Sequence, residues 1–210
     1  MTKVITFANV KGGTGKSTLC VNVAARLVEI GQTVTTFDAD QQKSTYDWIS
    51  NSLDPNLVSV KCFTPSDVSN FDEVLRSKPD YLLVDTQGSL NKELAYFLSK
   101  SSLVVVPCRT SRDDIIGQGW VQLFLDKAQK GLTKPALITV FNCVNKRTSI
   151  FRHIREQVKG EGTNVAKTVI AQRVAYSETN VNKISVIGYN KLAEAEIRLL
   201  TQEIVTCCEV

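Results

Sequence analysis

The sequence predicts a doubly wound α/β fold, in which helices cover both faces of a mostly parallel β-sheet. Short β-branched runs alternate with amphipathic stretches along the chain. Most of these runs are apolar almost throughout, which is typical of strands buried on both faces. A chain of 210 residues is long enough for one hydrophobic core, so we expect a single domain spanning residues 1–210.

Each element follows from its local pattern. The runs rich in β-branched and aromatic residues predict strands at Val4–Ala8, Val34–Asp38, Val58–Phe63, Tyr81–Asp85, Leu103–Pro107, Leu137–Asn142 and Val165–Ile170. Helical apolar spacing predicts helices at Lys16–Ile30, Asn91–Lys100, Ile115–Lys130, Ser149–Lys159 and Lys191–Cys207. Glycine follows three of these helices, at Gly31, Gly131 and Gly160, where it favours termination. In such a fold ligands bind beyond the carboxyl ends of the strands, so motifs that follow strands carry the functional information.

Composition favours a soluble cytoplasmic protein. The chain is 43% hydrophobic and 22% charged, which is ordinary for a globular protein. No run approaches the roughly 20 apolar residues of a membrane-spanning helix. The six cysteines are scattered and lack the C-x-x-C spacing of metal sites, so we expect reduced thiols.

Glycines and lysines cluster directly after the first predicted strand. Glycine lets a backbone wrap phosphate oxygens with its N–H groups, and the following helix directs its positive end at the anion. Lys16 would contact the β and γ phosphates, while Ser17 would place its hydroxyl on Mg²⁺. The usual pattern has glycine where this chain has Val10. The predicted nucleotide-binding residues are Gly12, Gly13, Thr14, Gly15, Lys16, Ser17 and Thr18.

The stretch Lys11–Thr18 resembles the deviant Walker A loop of the ParA/MinD family of ATPases, whose signature is an early lysine. By that resemblance the nucleotide is ATP and the active state is a homodimer formed on ATP binding, with higher-order assembly left open. Lys11 would reach the partner subunit's phosphates across a nucleotide sandwich, and Lys16 would serve its own subunit. The resemblance makes both lysines catalytic, because a second cation offsets the charge that develops during phosphoryl transfer.

Two aspartates, Asp38 and Asp40, end the second predicted strand on the same pleated face. They resemble the D-x-D-P-Q motif of the family, with Gln41 in place of proline. The resemblance implies that Asp40 is catalytic and orients or activates the attacking water, while Asp38 supports the Mg²⁺ shell. Aspartates after strands also form turns and cap helices, and that alternative stays open for both.

Polar residues end two later strands. Asp85 closes an apolar run as a Walker B aspartate does, at the Mg²⁺ shell. Thr86, Gln87 and Gly88 follow where the family carries a switch loop. Asn142 could offer a donor and an acceptor to the adenine edge, as an asparagine does in many relatives, or it could serve as a turn residue.

The positive charge is concentrated late in the chain. Residues 1–126 carry a net charge of −2, residues 127–198 carry +8 and the last twelve carry −2. This distribution is compatible with a polyanionic partner, although scattered surface lysines would also account for it. The basic excess comes mostly from Arg147, Arg152, Arg155, Lys159, Lys167, Arg173, Lys183, Lys191 and Arg198.

A late segment, Thr168–Tyr176 followed by Gly188, is similar to the corresponding part of small plasmid-partition ATPases, the ParF-like members of the family. That resemblance implies a positioning ATPase that binds DNA non-specifically as an ATP dimer and associates with the nucleoid. A centromere-binding, ParB-type or adaptor protein would stimulate hydrolysis. The cargo would be a plasmid or chromosome.

Two other functions remain as alternatives. A MinD-like ATPase acting at a membrane surface needs a basic amphipathic tail, whereas residues 201–210 hold no Lys or Arg and two Glu. We therefore expect no membrane partner. A biosynthetic enzyme on a related P-loop scaffold is the second alternative, although Lys11 favours a dimeric switch ATPase.

Overall fold

A computed structural model describes residues 1–64, 69–128, 135–160 and 163–209. In these ranges the strands are β1 (Lys3–Phe7), β2 (Val34–Asp38), β3 (Lys61–Phe63), β4 (Tyr81–Asp85), β5 (Leu103–Cys108) and β6 (Ala136–Phe141). The helices are α1 (Lys16–Glu29), α2 (Ser44–Ser50), α3 (Ser69–Arg76), α4 (Lys92–Lys100), α5 (Arg112–Ala128), α6 (Ser149–Gly160), α7 (Val174–Val181) and α8 (Lys191–Glu209).

The strands of the described ranges form one sheet in the order β3-β2-β4-β1-β5-β6, and their pairings are parallel. The first strand therefore lies inside the sheet, between β4 and β5. All the carboxyl ends point to one edge, where the loops that follow β1, β2, β4, β5 and β6 meet.

Both faces of the sheet are buried, as the apolar runs predict. Along β1 and β4, Ile5 and Leu83 pack into one cluster with residues of α1 and α8. Their neighbours Val4 and Leu82 pack on the opposite face with the aromatic rings carried by α3 and α4. Alternate residues of a strand thus enter different cores, which confirms the predicted doubly wound, mostly parallel α/β class.

The predicted strand Val165–Ile170 is wrong as a regular strand. This segment lies beside β6, but it forms only an isolated bridge at Val165 and another just beyond it at Ala171. Side chains satisfy the backbone groups in between: Arg155 donates to the carbonyls of residues 166 and 167, and Glu203 accepts from the N–H groups of residues 167 and 168. These side-chain bonds replace the ladder that a strand would need.

Three short helices, α2, α3 and α7, were not anticipated by the apolar spacing. Seven or eight residues give little periodicity, and such helices depend on tertiary contacts. Trp48 of α2 is fully buried and donates from its indole nitrogen to the Ile184 carbonyl at 3.2 Å, so it anchors the helix to the core. The predicted end of the helix at Lys130, and Gly131 after it, lie outside the described residues.

Within the described part of the chain, no helix has the length and apolar content needed to cross a membrane. The six cysteines are free. Burial raises the pKa of the Cys62 and Cys108 thiols to about 12, so these two are protonated at neutral pH.

Candidate nucleotide-binding site

A cavity of about 540 Å³ opens at the carboxyl edge of the sheet, beside the glycine-rich loop. Its wall brings together the loop, the turn after β2, the turn after β4 and the residue that follows β5. The lining residues are Gly12, Gly13, Gly15, Lys16, Ser17, Thr18, Asp40, Gln41, Gln42, Ser44, Gln87, Gly88, Arg109 and Asn180. The sequence-predicted phosphate loop and Asp40 therefore share one cavity.

The loop conformation depends on two of its glycines. Gly13 and Gly15 have φ values of 73° and 94°, in the left-handed region that side chains disfavour. A Cβ at Gly15 would also lie 2.1 Å from Nδ2 of Asn142. Gly15 caps α1 without any side-chain bond, so the first N–H groups of the helix are free to meet an anion.

Gly12 differs from these two glycines, because its φ is not positive and a Cβ there would meet nothing within 4 Å. The open space beside Gly12 belongs to the cavity. The protein fold therefore does not require glycine at this position, whereas close approach of a bound phosphate would require it.

Lys16 is buried, and its amine lies 3.4 Å from the Lys11 carbonyl oxygen at the cavity wall. Burial lowers the pKa of this amine, and the nearby carboxylates of Asp85 and Asp40 oppose that effect. A bound triphosphate would supply the negative charge that stabilises the ammonium.

The side chain of Lys11 lies away from this cavity wall. Its amine contacts the start of α5, at 3.3 Å from the Ser111 hydroxyl, 3.6 Å from Asp114 and 3.7 Å from Asp113. Its side chain is 39% exposed, while that of Asp114 is 3% exposed. The two lysines of the loop therefore have different positions, with Lys16 in the cavity wall and Lys11 on the outer surface.

Asp85 is fully buried at the end of β4. Thr45 donates to its Oδ2 at 2.8 Å, and Oδ1 accepts no well-formed hydrogen bond from the described residues. Burial and the charge of Asp38 raise the pKa of Asp85 to about 7, while the Ser17 and Thr45 hydroxyls and the Lys16 amine oppose the rise. This carboxylate has unused capacity for a cation beside the loop.

Asp38 and Asp40 have different surroundings. Asp38 is buried and accepts backbone N–H bonds from Asp40 at 3.0 Å and from Tyr46 at 2.8 Å. Asp38 thus shapes the turn and holds the start of α2, as the turn-and-cap alternative describes. Asp40 accepts from the Gln42 N–H at 2.9 Å and lines the cavity.

A second cavity of about 340 Å³ adjoins the first. The two share Gly15, Thr18, Arg109 and Asn180, and Asn142 lines the second one. Nδ2 of Asn142 donates to the Thr14 carbonyl at 2.7 Å, so the amide joins the end of β6 to the loop. Its Oδ1 accepts no hydrogen bond within the described ranges and remains an acceptor at this cavity.

Several residues of the site were missed in the sequence, among them Asn180 in the lining of both cavities. Thr45 holds Asp85, and Arg109 lines both cavities. Asn9 is buried, donates to the Pro107 carbonyl at 2.7 Å and accepts from the Lys11 N–H at 3.0 Å, so it joins the loop to β5. Asn9 and Arg109 could have been identified as site candidates from the sequence, because each follows closely after a predicted strand.

A glycine loop between an interior strand and a helix, with a buried lysine and a buried aspartate ending the adjacent strand, defines a P-loop nucleotide-binding protein. The chain matches the family model described as the CobQ/CobB/MinD/ParA nucleotide binding domain over residues 5–186. It belongs to this family, which confirms the ParA/MinD resemblance.

Individual proteins with similar sequences or folds are consistent with this family. Protein ParA of Rhizobium radiobacter is 26% identical over 178 residues, covering 83% of this chain and 80% of the relative. The maintenance of carboxysome distribution protein A of Halothiobacillus neapolitanus is 25% identical over 205 residues, covering 94% of each. A putative plasmid partition protein from Borrelia burgdorferi bound to AMPPNP superposes with a TM-score of 0.78 at 19% identity, covering 98% and 99% of the two chains. The last likeness shows the fold alone.

Proposed function

We propose that this chain is an ATP-hydrolysing positioning ATPase that forms an ATP-sandwich dimer, binds DNA non-specifically and segregates plasmid or chromosome cargo. The observation that carries the proposal is the separation of the two loop lysines. Lys16 lies in the wall of the cavity, and Lys11 lies on the exposed surface beside α5. A lysine directed away from its own site is available to a second subunit.

ATP fits the two adjoining cavities. The glycine loop and Lys16 would hold the triphosphate in the first cavity. The second cavity would hold the nucleoside, where Oδ1 of Asn142 offers an acceptor to the exocyclic amine of adenine. Guanine would present a carbonyl to the same oxygen, and two facing acceptors repel each other.

The chemistry of the residues fits Mg²⁺. Asp85 has a buried oxygen that accepts no well-formed hydrogen bond from the part of the chain that the structure describes. The Ser17 hydroxyl lies close to this carboxylate, and Asp38 would support the shell through the turn that it holds. No group of three or more acidic, His or Cys ligands occurs in the described residues, as expected for an ion held largely by phosphates and water. When bound, Mg²⁺ would neutralise charge on the phosphates.

In hydrolysis, Asp40 would orient the attacking water. Its backbone N–H donates to Asp38 and its Oδ1 accepts from Gln42, so the carboxylate is fixed at the cavity wall. One carboxylate oxygen then remains to accept a proton or a hydrogen bond from water. Lys16, and Lys11 from the partner subunit, would stabilise the developing phosphate charge.

The position of Lys11 supports the proposed dimer. In the single chain, Asp113 and Asp114 neutralise its amine. The pair with Asp113 is exposed, and such a pair contributes only about 0–1 kcal/mol. The contact with the buried Asp114 is long, at 3.6 Å, and Lys11 itself is 39% exposed. Its amine can therefore exchange these carboxylates for the phosphates of a nucleotide held by the partner subunit. Hydrolysis would then be coupled to association, with a ParB-type or adaptor protein as the stimulator.

The structure separates the basic residues of the late segment into two groups. Carboxylates pair with Lys146, Lys159, Arg173, Lys183 and Arg198. Among the described residues, Arg147, Arg152, Arg155, Lys167 and Lys191 form no ion pair. Three of these, Arg152, Arg155 and Lys167, line one groove between α6 and α8, which we call the α6 basic surface. Lys146, Glu196 and Glu203 line the same groove, so four cations outnumber two carboxylates there. This surface would meet phosphate backbones without reading bases.

The relatives support positioning but differ in cargo. One is a ParA protein and another maintains carboxysome distribution. We assign plasmid or chromosome cargo because of the ParF-like late segment. The protein would then act in the cytoplasm, on the nucleoid.

The structure gives no support to the MinD-like alternative. The apolar residues of α8, including Ile197, Leu200 and Ile204, are buried in the cluster that contains α1. Leu192 and Leu199 of this helix stay exposed, but most of its apolar residues pack in the core and are not free to insert into a membrane surface.

Retention of long duplex DNA of arbitrary sequence tests the proposal. With ATP and Mg²⁺ we expect retention that weakens steeply as salt rises, and with ADP we expect little. Asp40→Ala should keep ATP bound, hydrolyse it slowly and remain on DNA. Equal retention with both nucleotides, normal turnover by Asp40→Ala, or no DNA binding at low salt would contradict the proposal.

A further inference from the structure

The nucleoside cavity has a wall that depends on a residue outside it. Arg173 and Tyr176 line this cavity, and both contact Glu196 of α8. Nε and Nη2 of Arg173 donate to the Glu196 carboxylate at 3.2 and 2.9 Å, and the Tyr176 hydroxyl lies 3.4 Å from it. Glu196 itself does not line the cavity.

Glu196 also gathers two further donors. The Lys146 amine lies 2.9 Å from its Oε1, and the Ala171 N–H lies 3.2 Å from its Oε2. One carboxylate thus connects the turn after β6, the segment that leads into α7, and α8. Backbone hydrogen bonds also join residues 164–172 to β6 and the turn after it, and Glu196 adds the side-chain link from both of these segments to α8.

Glu196 is only 7% exposed, and its charge is stabilised locally. Burial alone would raise the pKa of this carboxyl group, but the hydrogen bonds from Arg173 and Lys146 outweigh burial and hold the pKa below its usual value. The same contact raises the pKa of Arg173. Both groups are therefore ionised at neutral pH, and the two-nitrogen contact fixes the plane of the guanidinium.

We propose that Glu196 is a positioning residue for the nucleoside end of the site, which fixes Arg173 and Tyr176 where they contact the bound nucleoside. This inference rests on the proposed ATP function. Ordering these side chains in advance avoids the entropy that binding would otherwise cost. Without the carboxylate, Arg173 and Lys146 would face each other as two cations, and the Tyr176 hydroxyl would keep only the Ala193 carbonyl oxygen as an acceptor.

Glu203 provides a matched control on the same helix. Its carboxylate also holds backbone on the neighbouring segment, accepting the N–H groups of Lys167 and Thr168 at 2.7 Å each. Both Glu196 and Glu203 line the groove of the α6 basic surface, and neither lines the nucleoside cavity. Unlike Glu196, Glu203 accepts its hydrogen bonds from residues that do not line that cavity. If Glu196 acts only by supporting the neighbouring segment, Glu203→Gln should lower ATP affinity as well. If Glu196 positions the residues at the nucleoside, Glu203→Gln should leave ATP affinity unchanged.

Binding of two probes separates the roles. Calorimetry should measure ATP and inorganic tripolyphosphate, each with Mg²⁺, on the wild-type chain, Glu196→Gln and Glu203→Gln. We expect Glu196→Gln to weaken ATP binding about tenfold and to leave tripolyphosphate within about twofold of wild type. Glu203→Gln should bind both probes as the wild type does. Thermal unfolding of each variant verifies that it is folded.

The outcomes are distinct. Failure of the wild type to bind ATP overturns the proposed function and this inference with it. Normal ATP binding by Glu196→Gln, or an equal loss of both probes, overturns the inference alone. If Glu196→Gln does not fold, Arg173→Lys carries the test, because lysine keeps the charge but cannot make the two-nitrogen contact. Arg173→Lys should bind ATP more weakly than the wild type and bind tripolyphosphate as the wild type does. Unchanged ATP affinity would overturn the inference.

Discussion

Asp38 and Asp85 are paired in register on the adjacent strands β2 and β4, so two carboxylates are buried side by side beneath the phosphate loop. The oxygens of these two carboxylates have different hydrogen-bond partners. Asp38 accepts two backbone N–H bonds, whereas Asp85 keeps one buried oxygen without a well-formed bond from the described residues. Asp38 is therefore committed to the fold, and Asp85 carries an electrostatic penalty that a cation would relieve.

The first prediction concerns the stability of the nucleotide-free protein. Burial and Asp38 raise the folded-state pKa of Asp85 to about 7, above its unfolded value of about 3.9. The folded state therefore binds the proton more tightly, so stability falls as pH rises from about 4 to about 7 and the penalty is complete above that range. Asp85→Asn removes this penalty and should raise the free energy of unfolding at pH 8 by on the order of 2 kcal/mol.

Urea denaturation at pH 5 and pH 8 measures this effect. The wild type should lose more stability between these pH values than Asp85→Asn does. Asp40→Asn, at a partly exposed position two residues after Asp38, is the control and should follow the wild type. Parallel profiles for the wild type and Asp85→Asn would show that the buried carboxyl group does not titrate in this range.

The second prediction is that the benefit of Mg²⁺ for ATP binding depends on pH. A cation needs the ionised form of Asp85, and this form declines as pH falls through about 7. The ratio of ATP affinities with and without Mg²⁺ should therefore decrease several-fold from pH 8 to pH 6. ATP itself also titrates, so Asp85→Asn serves as the reference. Its ratio should be low at both pH values, and a wild-type change no larger than that of the variant would refute the prediction.

A third prediction compares two glycines of the loop. Gly15→Ala places a Cβ at a φ of 94° and 2.1 Å from Asn142, so it should lower the free energy of unfolding by about 1–3 kcal/mol. Gly12→Ala meets nothing in the protein and should fold with wild-type stability while losing ATP affinity. Thermal unfolding and calorimetric ATP binding measure the two effects. Destabilisation by Gly12→Ala, or full ATP affinity, would contradict this account of the loop.

Local patterns predicted much of the fold and the parts of the site that are contiguous in sequence. The strands were recognisable because residues such as Leu82 and Leu83 enter opposite cores and must both be apolar. The phosphate loop was recognisable because its glycines and lysines are adjacent in the chain. Resemblance to a family added the expected partner role of Lys11.

Features that depend on distant residues could not be predicted. The segment 165–170 has the composition of a strand, but Arg155 and Glu203 occupy its backbone groups. The position of Lys11 depends on a contact with Asp114, about a hundred residues away. Likewise, the nucleoside cavity exists only because α7 packs near the phosphate loop. None of these contacts leaves a periodic signal in the sequence.

A fourth prediction separates the two lysines. Lys16→Ala should abolish ATP binding, because the buried amine at the cavity wall is lost. Lys11→Ala should bind ATP as the wild type does, but it should neither dimerise with ATP nor hydrolyse it at the wild-type rate. Calorimetry, light scattering and phosphate release measure these properties. A large loss of ATP affinity in Lys11→Ala would mean that this lysine serves its own subunit after all.

The α6 basic surface yields the last prediction. Arg152→Gln/Lys167→Gln removes two cations of this groove that form no ion pair with a carboxylate in the described residues. Lys183→Gln/Arg198→Gln lowers the net charge equally but removes cations that Asp47, Glu29 and Glu194 already neutralise. With ATP, the first variant should weaken DNA binding uniformly across sequences and reduce the slope of log affinity against log salt by about 2. The second should alter both quantities little, since its cations are not free to replace counterions. Equal losses in the two variants would mean that net charge, and not this surface, determines DNA binding.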